Sequence, residues 1–397
     1  MDEINWGVIG PGSIATAFAQ SIKTAENSRL ISVFGRNPNK TNSFAEKFHI
    51  DAHHNLIDFI SSAEIDAVYI ATPHSEHFFY TLEAIKSGKH VLCEKPFTMN
   101  AYESMILLDL ANLSNVFLME AFMYRTHPQT KNILDNLNFI LDAKEKVLIE
   151  ASFGFKADVS AEHRLRNPNL GGGAILDIGC YPLTMAKLIA GHLQGLFFAD
   201  PKNLSATGQL DTTGVDLQSH AHLIFSETIE AKISCAINEE LSNNLLISSG
   251  EYSINVPEPW HCGQFQEGKS SIYLSHAGNN QREIKCIDKS GLFTREIEHA
   301  AKCILENKIE SEFISHAETQ SNMFWLDKWR QEIKIECPKS SINYSPIFKS
   351  QAYLLQKPQL ENVQVPGVKK LGSRLAFGCD NQTSDLHAFT MFDHFFG

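Results

Sequence analysis

Gly10-Pro11-Gly12-Ser13-Ile14-Ala15 constrains this chain more than any other stretch of it. The run follows a short apolar segment, Trp6-Gly7-Val8-Ile9, and precedes apolar residues at helical spacing, Ile14, Phe18 and Ile22. A G-x-G-x-x-A turn between a strand and a helix permits a tight reversal and close approach of backbone to a pyrophosphate. The helix N-terminus then offers N–H donors and the positive end of its dipole. Alone, such a pattern is no more than a tight turn; in strand–turn–helix context it points to a nucleotide site. Gly10, Gly12, Ser13 and Ile14 are the candidate contacts.

The rhythm that follows agrees with this. Strands are expected at 30–34, 67–71, 90–93 and 116–119, with helices at 75–86, closed by Gly88, and at 101–113. Alternating strands and helices predict a parallel sheet covered on both faces. From about Tyr124 the pattern changes: a helix at 127–141, a long strand at 146–155 and a helix at 174–191. Strand-like runs follow at 220–225, 228–237, 244–248 and 271–275, then helices at 296–307 and 316–333. Consecutive strands without intervening helices fit an antiparallel meander. We therefore expect an α/β Rossmann domain over 1–123 and an α+β domain with a mostly antiparallel sheet over 124–339. The stretch 340–368, rich in Pro, Ser, Gln and Lys, reads as a linker, and 369–397 as a strand followed by the start of an amphipathic helix.

Composition narrows the partners. Of 397 residues, 34 Lys+Arg stand against 46 Asp+Glu, a net charge of −12 that repels phosphate backbones and argues against nucleic acid. No apolar run reaches the ~18 residues of a membrane span. The eight cysteines are scattered, without a C-x-x-C pair, and read as reduced core thiols. No metal spacing is visible; the adjacent His53 and His54 read as surface or strand-end residues. The N-terminus is acidic, with no basic segment or apolar leader, so the expected compartment is the cytoplasm.

An NAD site usually places an acid ~20 residues past the glycines, at the end of the second strand. None occurs between Glu26 and Glu46; Gly35-Arg36-Asn37 stands there instead. Arg36 can pair with a 2′-phosphate, or be a solvated turn residue; we expect NADP over NAD. Lys95, in Cys93-Glu94-Lys95-Pro96, follows a strand whose carboxyl end should face the ligand crevice. In Gly171-Gly172-Gly173-Ala174-Ile175-Leu176-Asp177-Ile178-Gly179-Cys180-Tyr181-Pro182, Asp177 and Tyr181 share a helix face. A phenol there can exchange a proton with a substrate hydroxyl or carbonyl, and a nearby Lys95 would favour its ionised form. Singly, Lys95 is more often a surface cation, Tyr181 a packing residue and Asp177 a loop acceptor.

Together with Met119-Glu120-Ala121-Phe122-Met123-Tyr124-Arg125-Thr126-His127-Pro128, these motifs resemble the Gfo/Idh/MocA oxidoreductases in order and spacing, over roughly 5–338. The version here is most similar to the branch with dihydrodiol dehydrogenases, NADP-dependent xylose dehydrogenases and glucose–fructose oxidoreductase; other branches often carry histidine where Tyr181 stands. The resemblance implies a second domain with a large open sheet, and hydride transfer between a nicotinamide and a sugar or vicinal diol. It implies Lys95 and Tyr181 as the catalytic pair, with Asp177 touching substrate or orienting them. Thr72, Pro73, His77, Glu94 and Arg125 would contact the cofactor, with Arg125 and His127 lining the cleft or bracing it, and Arg164 would approach the nicotinamide. Trp260 would edge the substrate pocket or cap the sheet. Alternatives are a sugar-to-sugar oxidoreductase that retains its NADP, or a non-catalytic NADP sensor. A homodimer is expected. Residues 370–397 resemble the opening of an aldo/keto reductase barrel, which needs ~250 residues.

Overall fold

The computed structural model describes residues 3–277 and 280–335. The linker expected over 340–368 and the segment 369–397 lie outside the described residues. The first sheet alternates with helices from the start: β1 (Ile4–Ile9), α1 (Ser13–Ser21), β2 (Ser28–Phe34), α2 (Pro38–Phe48), β3 (Asp51–His53), α3 (Leu56–Ile60), β4 (Ala67–Ile70), α4 (His74–Lys86), β5 (His90–Glu94), α5 (Ala101–Ser114) and β6 (Leu118–Ala121). All its strands are parallel, in the order β3-β2-β1-β4-β5-β6. Strand order reverses between β1 and β4, which places the ligand crevice at their carboxyl ends. Central strands covered on both faces must be apolar throughout. Trp6, Val8, Ile9, Val68, Tyr69, Ile70, Val91 and Leu92 are accordingly buried, and Phe18 of α1 stacks on Tyr69 with ring centroids 3.8 Å apart.

Helix α2 is absent from the sequence expectation because Pro38-Asn39-Lys40-Thr41-Asn42-Ser43 has poor helix formers. Local capping rescues it. Pro38 sits in the first turn, and the Asn37 side chain accepts from the Lys40 N–H.

Beyond β6 the expected single helix at 127–141 is broken. A 3₁₀ turn (Met123–Thr126) leads to α6 (Pro128–Asp135) and α7 (Asn138–Leu141). Pro128 starts α6 at its first turn, and the break falls at 136–137. The second sheet comprises β7 (Val147–Gly154), then, after α8 (Cys180–Leu193), β8 (Asn203–Leu210), β9 (Asp216–Ile224), β10 (Ile229–Ala236), β11 (Leu245–Ser249), β12 (Tyr252–Val256), β13 (Lys269–His276) and β14 (Asn280–Ile287). Its order is β14-β13-β12-β11-β7-β10-β9-β8, antiparallel except where β7 meets β10. Alternating Val147, Ile149, Ala151 and Phe153 face inward beneath α8. The apolar stretch Pro168–Leu193 is long enough to cross a membrane, but it lies buried inside the protein.

After β14 the chain returns to the first sheet through α9 (Thr294–Leu305) and α10 (His316–Glu332). Thr294 Oγ1 donates to the Ser21 carbonyl (3.0 Å), and Arg330 donates to the Met99 carbonyl (3.0 Å). Arg125 forms the strongest joint. Its guanidinium, 3% exposed, pairs with both carboxylate oxygens of Glu318 on α10 (Nη2–Oε2 3.0 Å) and donates to the Phe313 carbonyl. Arg125 therefore braces the junction. The expected cofactor contact is corrected, because its donors are engaged inside the protein. Removing one partner of a buried pair strands the other charge. Arg125→Met should lower the unfolding free energy by about 3–5 kcal/mol in urea titrations, and Arg125→Met with Glu318→Met should recover most of it.

Candidate active site

Lys95 directly follows β5, and the Lys95–Pro96 peptide is cis. Across the junction the chain enters α8 through a π turn, Ile175–Gly179, where a plain α-helix was expected. Such turns displace backbone groups and occur often at functional sites. Here the Asp177 carbonyl accepts from Lys95 Nζ at 2.8 Å. The turn is pinned at its start by Asp216, whose Oδ2 accepts from the Ile175 N–H (2.6 Å). Gly171, at φ +78°, lets the preceding loop close on α4; a Cβ there would lie 2.7 Å from that of His74.

Asp177 is the electrostatic centre. Its carboxylate receives Arg164 Nη1 at 2.7 Å, with Lys95 Nζ 4.0 Å and His74 Nε2 3.7 Å away. Burial alone would push this carboxyl upward, but Lys95 and Arg164 override it and hold it at about 2. Burial also drives His74 down to about 3, so its contact with Asp177 joins a neutral ring to an anion. The other ring nitrogen of His74 faces the Gly171 carbonyl at 2.9 Å.

Tyr181 opens α8 inside an aromatic shell. Phe122, Phe153 and Trp260 present edges to it at centroid distances of 5.5, 5.1 and 5.8 Å. Trp260 is itself buried, and its indole N–H donates to the Ser152 carbonyl (2.9 Å), so it buttresses Tyr181. Lys95 Nζ lies 5.2 Å from the Tyr181 ring centroid. Among the described residues the phenol donates to a thioether, Met123 Sδ at 3.6 Å, which leaves its stronger hydrogen bonds for a substrate. Burial pushes this phenol well above its ordinary value of 10, with Glu94 adding to the rise. The expectation that Lys95 would favour the phenolate is thus corrected: desolvation dominates.

The remaining candidates divide into three groups. Gly10, at φ +94°, packs where a Cβ would meet the Ala71 carbonyl and Thr72 Cγ2, each at 2.9 Å. Nothing lies within 4 Å of a Cβ at Gly12, and α1 has neither a side-chain cap nor an acid in its first turn. Thr72 Oγ1 is buried without a partner among the described residues, beside Pro73 at the start of α4. This cradle, with Ser13 and the exposed Ile14 at its rim, fits a dinucleotide pyrophosphate. A second group is structural. His77 is buried between the Thr72 and Pro96 carbonyls (3.0 and 2.9 Å); burial lowers it to about 4, so it has one N–H for the two. His127 caps α6, accepting from the Gln129 N–H. Glu94 is buried and accepts from the Tyr69 hydroxyl. Third, Arg36 stands apart, paired with Glu76. His74 and Glu76 are the residues that sequence reasoning missed. The strand-end rule that selected Lys95 applies equally to Thr72-Pro73-His74, of which only Thr72 and Pro73 are expected along the cofactor.

No metal-binding cluster of His, Cys, Asp or Glu is present among the described residues. The chain matches a model of the oxidoreductase family with an NAD-binding Rossmann fold over residues 4–122 and the GFO/IDH/MocA C-terminal domain over 145–251. A trans-1,2-dihydrobenzene-1,2-diol dehydrogenase from Xenopus tropicalis is 28% identical over 342 residues, 84% of this chain and 99% of that protein. An NADP(+) D-xylose 1-dehydrogenase from Hypocrea jecorina is 30% identical over 54% of this chain and 60% of its own length. Among solved structures, a 3-ketoreductase from Actinomadura kijaniata superposes with TM-score 0.74 at 21% identity, covering 83% of this chain and 98% of that one.

The clamp on Asp177 has a thermodynamic signature. A carboxyl lowered on folding stabilises the fold above its unfolded value near 4, and that stability is lost as pH falls toward 2. Asp177→Asn should be less stable than the parent by about 2 kcal/mol at neutral pH, with the gap narrowing only below about pH 4. Urea titrations across that range check this; a gap independent of pH would show that Asp177 is not held as an anion.

Proposed function

The chain belongs to the GFO/IDH/MocA oxidoreductase family, and from that premise we propose that it is an NADP-dependent enzyme moving hydride to or from a sugar or vicinal diol. The observation that carries this reading is the meeting of Lys95 with Tyr181, the amine 5.2 Å from the ring centroid and the phenol held only by a thioether among the described residues. The named activities of the diol and xylose dehydrogenases, similar to most or half of this chain, support the substrate class. Arg36 and the absence of an acid at the end of β2 support NADP.

A nicotinamide dinucleotide, with its pyrophosphate held at the cradle of Gly10 and Gly12, would supply hydride exchange with the substrate carbon. The chain's own groups manage the oxygen. In reduction Tyr181 Oη donates its proton to the carbonyl oxygen, and in oxidation it takes one from the hydroxyl. Lys95 stabilises negative charge on that oxygen, steered by the Asp177 carbonyl and carboxylate. Arg164 keeps Asp177 in place, and the ring shell of Phe122, Phe153 and Trp260 excludes water. A cytoplasmic setting goes with this reading, as the six described cysteines are all unpaired. So does a homodimer, for which the outer face of the large sheet, with Glu150, Ser152, His220 and Lys232, offers an open surface.

Purified protein given NADP and a panel of aldoses and trans-diols should produce reduced-cofactor absorbance. Lys95→Met and Tyr181→Phe should each lower kcat/KM by about 100-fold or more and leave the cofactor Kd within about threefold. Because the phenol is protonated at rest, oxidation should accelerate from about pH 7 to about pH 9. Cofactor binding without turnover on any polyol would overturn the enzymatic reading.

A further inference from the structure

The acid missing from the end of β2 is supplied by another element. Sheet order places β2 and β4 on either side of β1, so the segments after them flank the glycine turn. Both press on it: a Cβ at Gly35 would lie 2.7 Å from Pro11 Cδ, and one at Gly10 would lie 2.9 Å from the Ala71 carbonyl. Arg36 comes from the β2 side and Glu76, in the first turn of α4, from the β4 side. The two side chains meet in an ion pair, Arg36 Nη2 to Glu76 Oε1. Arg36 is 57% exposed and Glu76 only 7%, so the arginine is the movable partner and the carboxylate is fixed. Glu76 Oε2 is buried and accepts from no group among the described residues.

The end of β2 is where a dinucleotide's adenosine ribose rests on this kind of sheet, its 2′ substituent read by an acid or an arginine. Resting on the cofactor reading above, we propose that Glu76 discriminates at this ribose. It competes with a 2′-phosphate for Arg36, and it accepts a hydrogen bond from a 2′-hydroxyl. With a 2′-phosphate, Arg36 turns outward to the phosphate and Glu76 remains a nearby repelling anion. With a 2′-hydroxyl, the ion pair stays closed and the carboxylate takes the hydroxyl proton donor. The chain therefore uses both cofactors, with a preference for the phosphorylated one that Glu76 narrows.

The test is a set of NADPH and NADH dissociation constants, read from nicotinamide fluorescence on the full chain. Glu76→Gln, near-isosteric and neutral, should tighten NADPH by about tenfold, the scale of one charge-assisted contact, and should not tighten NADH. Glu76→Ala should move the ratio in the same direction, which guards against a folding artefact of one variant. Arg36→Ala should weaken NADPH and spare NADH. An unchanged ratio in both Glu76 variants, or an equal shift for both cofactors, overturns the role of Glu76 while leaving the dinucleotide site intact. Binding of neither cofactor to the parent chain would overturn the cofactor reading itself, and this inference with it.

Discussion

A carboxylate that is almost wholly enclosed cannot keep its charge unaided. Asp177 keeps it because Arg164 and Lys95 converge on it from different parts of the chain, with neutral His74 alongside. Desolvation of such a group costs several kcal/mol in general, and only close cations with good geometry offset it. The consequence runs outward. Lys95 is fixed at the end of β5 by the same residue whose backbone carbonyl accepts its hydrogen bond, so the cation's place is tied to the entry of α8. The orientation of the two sheets and the placement of the reactive amine are one constraint.

That coupling needs the π turn. In an unbroken α-helix the Asp177 carbonyl would be engaged four residues on, at Tyr181. The widened turn offers it to Lys95, while Asp216 holds the turn's start and Gly171 lets the approach loop sit against His74. The aromatic shell then acts on Tyr181 in the opposite sense to a neighbouring cation. It removes water and raises the phenol, so the resting group is a proton donor. Which effect prevails depends on enclosure by Phe122, Phe153 and Trp260, residues drawn from three separate segments.

Much of the frame was legible in the residues. The strand–glycine–helix unit at 4–21, the alternation through β6 and the change to consecutive strands all follow from local period and punctuation, and the structure shows them. What escaped were elements whose stability is not local. Helix α2 is made by a cap and a first-turn proline. Strands β8, β12 and β14 lack clean apolar runs and exist by pairing with neighbours. The helix expected at 127–141 is interrupted at 136–137, between α6 and α7, and residues 340–397 lie outside the described chain.

For the site, the sequence by itself determined the residue types: a glycine turn open to phosphate, a lysine at a strand's carboxyl end, and an acid and a phenol four apart. These are local patterns, and local patterns are printed in order along the chain. Only the tertiary structure decided partnership and protonation. It turned Arg125 inward to Glu318, brought Glu76 to Arg36, set His74 beside Asp177 and closed aromatic rings around Tyr181. Charge state depends on distance and on lost water, and both are properties of the packed molecule that no linear pattern carries.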